Sequence, residues 1–491
     1  MAGQRSLTRR SAKKEAGMEI TVKADANNTK YLLTLLEEMG YSLPCNCQGK
    51  HRCPGARYAF DCSMIPKSPI TVQLPKKDSD VKGIALENRT LIPGPADTLL
   101  IDLGTTTIAL VLMDKKSGLL RQSHVFPNPQ RSFGTDVISR IQASCEGKGK
   151  MLKNEICLAL SDEAARLCQK NDQTKEEIRC CLIGGNTTMI HLLMGYDCSP
   201  LAASPFIPRA KCPDRFSHGQ TTIRILPWLS AFIGGDIMAG ILACGLADKD
   251  GPSLLVDLGT NGEMVLAHRK KLYAAATAAG PALEGGSLSC GCAAVEGAVS
   301  SVRLQRGRAV VKTIGNKIPI GLCGSGALTL CAELLRHNLI DNEGILSDSF
   351  PENGILLGRD ITGSSLYFTA DDLRRLQLAV ASIGAGIDTL CFEAGIHPAS
   401  LEQMYLGGGF GFFLPIEDVI RLRMIPSLAP ERIRLMGNTC LQGLWQFAAN
   451  PANNPEFPAC SVIDLASHPF YKKRFLSHMT YSDDVSSTTN A

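Results

Sequence analysis

One short stretch occurs twice in this chain. Residues 99–107 read Leu-Leu-Ile-Asp-Leu-Gly-Thr-Thr-Thr, and residues 254–263 read Leu-Leu-Val-Asp-Leu-Gly-Thr-Asn-Gly-Glu. Each is an apolar β run closing on Asp-Leu-Gly-Thr, and the copies lie roughly one domain length apart. The glycine lets the backbone turn tightly and approach a ligand. The hydroxyls and free amides after it suit phosphate oxygens. The carboxylate at the strand end suits a hydrated Mg²⁺. One copy alone reads as well as an ordinary hairpin. Two facing copies would grip a nucleotide's phosphates from both sides. The candidates are Asp102, Gly104, Thr105 and Thr106 in the first loop, and Asp257, Gly259, Thr260 and Asn261 in the second, with Gly262 and Glu263 beside them.

The strand pair after Asp102 continues through residues 108–113, so the loop reads as a hairpin turn. There is no Gly-x4-Gly-Lys-[Ser/Thr] segment, which excludes a Walker-type site. Between the loops, residues 126–140 form a turn-rich entry to a helix, with Asp136 and Arg140 one turn apart. That spacing reads as a capping acid with an i,i+4 ion pair. Residues 151–170 read as a helix. Residues 181–189 (Cys-Leu-Ile-Gly-Gly-Asn-Thr-Thr-Met) read as a buried strand turning into a helix whose free amides suit an anion. Asp236, after Gly234-Gly235, opens a helix. It serves either as an N-cap or as a carboxylate aimed at the γ-phosphate or its attacking water.

Beyond the second loop, residues 277–286 carry Glu284 among glycines, facing the cleft in this reading. Cys290 and Cys292 cannot complete a metal site alone and read as core or loop thiols. Gly324-Ser325-Gly326 opens another helix as a candidate phosphate or ribose contact. Residues 371–395 are an amphipathic helix. The buried strand ending in Gly407-Gly408-Gly409 lets a flat purine lie against backbone. Gly437-Asn438 and Gly443 begin the last domain helix, and residues 479–491 read as a frayed Ser/Thr-rich tail.

At 491 residues, with 44% hydrophobic and 20% charged residues, the chain is long enough for several buried cores. A net charge of +4 is too small to argue for nucleic acid or a membrane surface. No run of about 18 apolar residues stands out as a membrane span. Residues 1–17 are basic without a following apolar stretch, so they read as a disordered leader, with Met18 a possible start. The cysteines number 19, an odd total spread through apolar segments, which fits a reducing cytoplasm better than a disulfide scaffold.

The exception to that spread is local. Cys45, Cys47, Cys53 and Cys62 fall within 18 residues, between a strand at 19–23 with a helix at 29–39 and a strand at 70–74. Thiolates hold iron–sulfur clusters or Zn²⁺. A degenerate site without metal is the third reading. The order of strand, helix, Cys-rich loop and late strand resembles a β-grasp ferredoxin domain. In that family the loop runs Cys-x5-Cys-x2-Cys with a distant fourth cysteine. Cys47, Cys53 and Cys62 match three of those positions, Ala56 stands at the remaining one, and Cys45 is extra. The resemblance implies a 2Fe–2S cluster, whereas the tighter spacing is open to 4Fe–4S.

The motif order over residues 97–475 resembles the actin, Hsp70 and sugar-kinase superfamily of ATPases. It implies an α/β fold of duplicated ribonuclease-H-like domains preceded by a shortened ferredoxin-like domain. The whole chain is similar to the reductive activators of corrinoid proteins, through the segments beginning Phe133-Gly-Thr-Asp-Val, Gly185-Asn-Thr-Thr-Met, Gly235-Asp-Ile and Gly437-Asn. The division implied is a leader (1–17), an iron–sulfur domain (18–76), a linker (77–96), a middle domain (97–225), a C-terminal ATPase domain (226–478) and a tail (479–491). The resemblance implies ATP-driven reduction of a corrinoid from Co(II) to Co(I) for methyltransferases. The cofactors would be ATP, Mg²⁺ and an iron–sulfur cluster. The partners would be a corrinoid protein, a low-potential electron donor and a second copy in a cytoplasmic homodimer. In that assignment Asp102, Thr105, Thr106, Asp257, Gly259 and Thr260 hold Mg-phosphate, Gly407–Gly409 hold adenosine, and Asp236 polarises water. The alternatives are a small-molecule kinase of the same superfamily with a vestigial N-terminal domain, and an ATP-gated binding protein without electron transfer.

Overall fold

Leu-Leu-Ile-Asp-Leu and Leu-Leu-Val-Asp-Leu carry apolar side chains on both faces, so each run needs cover on both sides. The computed structural model provides that cover twice. It describes residues 18–25, 32, 35, 66–74, 90–134, 136–209, 215–360, 363–408, 414–449 and 460–482. Cys45, Cys47, Cys53, Cys62, the leader, the greater part of the 29–39 helix and of the linker, Gly409 and residues 483–491 lie outside the described residues. Of the cysteine-bearing region, β1 (Met18–Val22) pairs antiparallel with β2 (Ile70–Leu74), and Leu32 is buried.

The first large sheet is built from β3 (Thr98–Leu103), β4 (Thr107–Met113), β5 (Leu120–Pro127), β6 (Cys180–Gly185), β7 (Arg215–His218) and β8 (Thr221–Ile225), in the order β5-β4-β3-β6-β8-β7. Helices α1 (Val137–Ala143), α2 (Gly149–Lys170) and α3 (Thr187–Met194) are inserted around β6. Leu99, Ile101 and Leu103 pack on one face with Leu152, Ile156 and Met189 from α2 and α3. The opposite face, from Leu100, Val111 and Leu182, is covered by Ala239 and Leu242 of the helix that follows β8 and by a second helix that arrives much later in the chain.

After β8 comes α4 (Gly235–Ala243), then β9 (Ser253–Leu258), β10 (Gly262–His268) and β11 (Lys271–Thr277). A side sheet of β12 (Ala298–Gln305), β13 (Arg308–Thr313) and β14 (Gly321–Leu322) leads into α5 (Gly324–Arg336). The hairpin β15 (Ile355–Arg359) and β16 (Ser365–Phe368) precedes α6 (Ala370–Glu393). Strands β17 (Gln403–Gly407) and β18 (Ile433–Gly437), helix α7 (Thr439–Ala449), β19 (Cys460–Val462) and α8 (Pro469–His478) complete the described chain. The second large sheet has the order β18-β17-β9-β10-β11-β19. Its run β11-β10-β9-β17-β18 repeats β5-β4-β3-β6-β8 in both order and direction.

The repeats exchange helices. α4 follows the first sheet, yet its Ile237, Met238 and Ile241 pack on Leu255 and Val265 of the second. α7 follows the second sheet, yet its Leu441 and Leu444 pack on Leu100, Val111 and Leu182 of the first. The two helices cross closely. A Cβ at Gly443 would lie 1.9 Å from Ala239 O.

Several local readings change. Asp136 caps α1, with its Oδ1 accepting from Ser139 N–H at 2.8 Å, but it forms no ion pair with Arg140. The Arg140 guanidinium is fully buried. Its Nε donates to Gly134 O at 2.9 Å and its Nη1 lies 3.2 Å from Met189 Sδ. Burial without an acidic partner at contact lowers its pKa to about 10. α7 is not the last helix, because α8 follows it. Residues 479–482 are tied down rather than frayed: Tyr481 N donates to Asn342 O at 2.6 Å and Arg423 Nη1 to Ser482 O at 2.7 Å. Cys290 and Cys292 are buried, as expected of core residues. Among the described residues, α6 alone is long and apolar enough to cross a membrane, and 78% of its apolar window is buried inside the protein.

Candidate functional site

Parallel pairing puts the two repeats in matching register. Asp102 on β3 lies opposite Gly184 on β6, and Asp257 on β9 lies opposite Gly407 on β17. Gly184-Gly185 and Gly407-Gly408 are therefore equivalent features of the duplication. Gly408 sits at φ +90°, and a Cβ there would meet Leu258 O at 2.4 Å and Asp257 Oδ1 at 2.8 Å. Only glycine lets this turn pass so close to the carboxylate.

The first loop is braced from beneath. Asn128, fully buried, donates from Nδ2 to Gly104 O at 2.9 Å and from its backbone N–H to Thr106 O at 2.9 Å. Asn186, the N-cap of α3, donates from Nδ2 to Thr105 Oγ1 at 2.9 Å. In the second loop Gly259 N–H donates to Asn261 O at 3.0 Å. Thr260 Oγ1 donates to Glu284 Oε2 at 2.8 Å, and Asn261 Nδ2 to Glu263 Oε1 at 3.2 Å. The two loops are thus held differently: the first by amide side chains, the second by carboxylates.

Four half-buried carboxyl groups, Asp102, Asp236, Asp257 and Glu263, lie close enough to act on one another's charge. Asp236 lies in the first turn of α4, where Gly234 rather than Asp236 is the N-cap. Its Oδ1 accepts from Ile237 N–H at 2.9 Å. Loss of water, then the nearby charge of Asp257, pushes its pKa up to about 7, with Asp102 adding to the shift. Burial, with a further push from Asp102, takes Asp257 to about 6 against a hydrogen bond from Thr439. Burial also raises Asp102, opposed by hydrogen bonds from Asn438 and Cys440. Glu263 is raised well above its ordinary value, first by burial and then by Asp236 and Asp257. Such a set stores like-charge repulsion that a bound cation relieves. Among the described residues no three of these side chains converge closely enough to hold a metal ion unaided. They suit Mg²⁺ that keeps part of its water shell and is bound chiefly to phosphate.

A folded-state pKa raised above the unfolded value means that the native chain holds extra protons between about pH 4 and pH 7, so stability from this source falls as pH rises through that window. In nucleotide-free protein with chelator, Asp236→Asn is therefore expected to gain stability relative to wild type as pH rises from about 5 to about 8. Thermal unfolding of the two proteins across that range measures the difference.

Not every candidate joins the cleft. Gly324–Gly326 packs the start of α5 on β12, and a Cβ at Gly326 would lie 2.2 Å from Val299 O. No described contact ties Gly324 to the carboxylates. Asn128, Asn438, Thr439 and Cys440 are site residues that motif reading passed over as ligand or positioning groups.

Comparisons with known proteins extend this picture. Residues 251–490 match the family model described as the C-terminal domain of RACo, the ASKHA domain. Residues 98–249 match the model of the RACo middle region. The corrinoid activation enzyme RamQ of Eubacterium limosum is 29% identical over 429 residues, covering 80% of this chain and 71% of RamQ. A reductase of the Co(II) methylated amine-specific corrinoid protein, from Methanosarcina barkeri, is 29% identical over 241 residues, 45% of this chain and 43% of that protein. The solved structure of a reductive activator for a corrinoid, iron–sulfur protein shares the fold, with a TM-score of 0.69 at 24% identity, over 96% of this chain and 80% of that one.

Proposed function

Because this chain belongs to the RACo family of reductive corrinoid activators, we propose that it spends ATP to drive one electron onto the cobalt of a corrinoid protein, taking Co(II) to Co(I). The observation that carries the ATP half is the crowding of Asp102, Asp236 and Asp257, from both repeats, beside two glycine-bearing loops. The electron half rests on the family and on the thiol chemistry of Cys45, Cys47, Cys53 and Cys62, soft donors that suit iron. A cluster bound there supplies a single low-potential electron.

In this reading Asp102 and Asp257 would hold the Mg-phosphate, and Mg²⁺ would supply charge neutralisation at the phosphate oxygens. The amides and hydroxyls of Gly104, Thr105, Thr106, Gly259, Thr260 and Asn261 donate to the phosphates. The turn at Gly407–Gly409 is assigned to the adenosine, which would lie against its backbone. Asp236, poised near neutrality, accepts a proton from the water that attacks the γ-phosphorus, and ADP leaves. The need for ATP follows from the potential of Co(I). For one electron about 1.4 kcal/mol corresponds to ~59 mV, so several kcal/mol from hydrolysis offset a few hundred millivolts. Closure of the two repeats around nucleotide is the coupling motion.

The test uses anaerobically purified protein. Iron and sulfide analysis reports the cluster. The visible spectrum of a Co(II) corrinoid protein, mixed with reductant and catalytic amounts of this protein, reports reduction. Co(I) is expected only when Mg-ATP is present. Equal reduction without ATP, or protein free of iron, overturns the respective half. The second copy, the electron donor and the cytoplasmic setting belong to the same proposal, and sedimentation of the purified protein tests the dimer.

A further inference from the structure

Three consecutive residues reach both carboxylates of the duplicated loops. Asn438 Nδ2 donates to Asp102 Oδ2 at 2.6 Å. Thr439 Oγ1 donates to Asp257 Oδ2 at 2.9 Å. The buried Cys440 thiol lies against Gly184, the residue opposite Asp102 on the neighbouring strand, and opposes the rise in that carboxyl's pKa. Resting on the ATPase reading above, we propose that Asn438, Thr439 and Cys440 are positioning residues that aim Asp102 and Asp257 jointly at one Mg-nucleotide.

The duplication supports this assignment. β8 leads to α4, and β18 leads to α7, at equivalent places in the two repeats. Asp236 is the second residue of α4, and Cys440 is the second residue of α7. Where one repeat presents the candidate water-polarising acid, the other presents groups that grip acids. The strands make way for them. A Cβ on Gly184, opposite Asp102, would sit 2.4 Å from Cys440 Sγ. A Cβ on Gly407, opposite Asp257, would sit 2.7 Å from Thr439 Cγ2. The start of α7 is thus wedged between the equivalent glycines of both sheets, with one residue turned to each side.

The wedge is also fixed at its base. Asn438 Oδ1 accepts from Leu441 N–H at 2.7 Å, so the same side chain caps α7 and holds Asp102. Gly437, at φ +66°, turns the chain from β18 into the helix, and its carbonyl accepts from Gly408 N–H at 3.0 Å. Thr439 is 1% exposed and Cys440 5%. A buried hydroxyl is costly unless it bonds, and Thr439 bonds the carboxylate that most needs a fixed direction. Thr439 takes Oδ2 of Asp257 and leaves Oδ1 for a ligand. The separation of the two carboxylates is set by adjacent residues of one helix rather than by the long chain between them.

Calorimetric titration of the full chain with ADP, in Mg²⁺ and in EDTA, tests this. Thr439→Val and Asn438→Ala are expected to lose roughly tenfold of the Mg²⁺-dependent gain in ADP affinity, while affinity in EDTA stays within about twofold. Cys440→Ala is expected to lose about threefold, since a thiol is a weaker donor. Thr439→Ser, which keeps the hydroxyl, is expected to restore the gain. Asn438→Ala added to Asp102→Asn is expected to cost nothing further, because it acts through that carboxylate. The proposal is overturned if Thr439→Val and Asn438→Ala keep the wild-type gain. It is also overturned if they lose affinity equally in EDTA, the mark of general damage, or if Thr439→Ser fails to restore. Wild-type protein that binds no nucleotide sinks the ATPase reading itself, an outcome distinct from all of these.

Discussion

Asp257→Asn is expected to lower ATP turnover by roughly a thousandfold, the scale seen when one preorganised electrostatic group is lost. Asparagine keeps the size and can still accept from Thr439 Oγ1, now 2.9 Å from Asp257 Oδ2. It removes the negative charge, and with it most of the attraction for Mg-phosphate. The substitution also relieves repulsion on Asp236, whose pKa is raised in part by Asp257. The nucleotide-free variant should therefore be at least as stable as wild type near neutral pH. Steady-state hydrolysis together with thermal unfolding separates the two effects. A variant that loses activity by unfolding would show a lowered midpoint instead, and one that hydrolyses ATP normally removes Asp257 from the site.

The largest effect on stability is expected at the helix crossing. In Gly443→Ala the new Cβ would lie 1.9 Å from Ala239 O and 2.5 Å from Ala239 C. Both are backbone atoms of α4 and cannot rotate away. Alanine favours an isolated helix by about 1 kcal/mol over glycine, but overpacking a tight contact costs about 3 kcal/mol. Forcing the helices apart also moves the first turn of α4, which carries Asp236, relative to Asn438 and Thr439 on α7. A drop in the unfolding midpoint of roughly 5 °C, with lowered ATP hydrolysis in whatever remains folded, is the expected result. Unchanged values would mean that the crossing is looser than this geometry.

The two duplicated strands were legible because their signal is local: apolar-rich residues ending in Asp-Leu-Gly-Thr read as buried strands without knowledge of their neighbours. The glycines at 407 and 408 were legible for the same reason, though their equivalence with Gly184 and Gly185 emerges only from sheet register. Asn438, Thr439 and Cys440 were passed over because their partners are remote. Thr439 lies 182 positions from Asp257, and Asn438 lies 336 from Asp102. A signal did exist in the duplication, since each of the matching strands leads to a helix that opens just after glycine, at Gly437-Asn438-Thr439 and at Gly234-Gly235-Asp236. The Asp136–Arg140 pair failed for a different reason. Helical spacing makes such an ion pair available, but Asp136 is used in capping and the guanidinium is buried against Met189. Near Gly324, the glycine that the structure explains is Gly326, whose missing Cβ lets α5 pack on β12.

The helix exchange sets a schedule for synthesis. The face of the first sheet bearing Leu100, Val111 and Leu182 is covered by Leu441 and Leu444, which leave the ribosome long after the sheet's own strands. At about 5–20 residues per second, the stretch from Leu182 to Leu441 takes roughly 13–50 seconds to translate. For that interval the nascent first half covers this face only through Ala239 and Leu242 of α4. A holding chaperone on the emerging chain, or a slow start to its collapse, is a demand built into the topology.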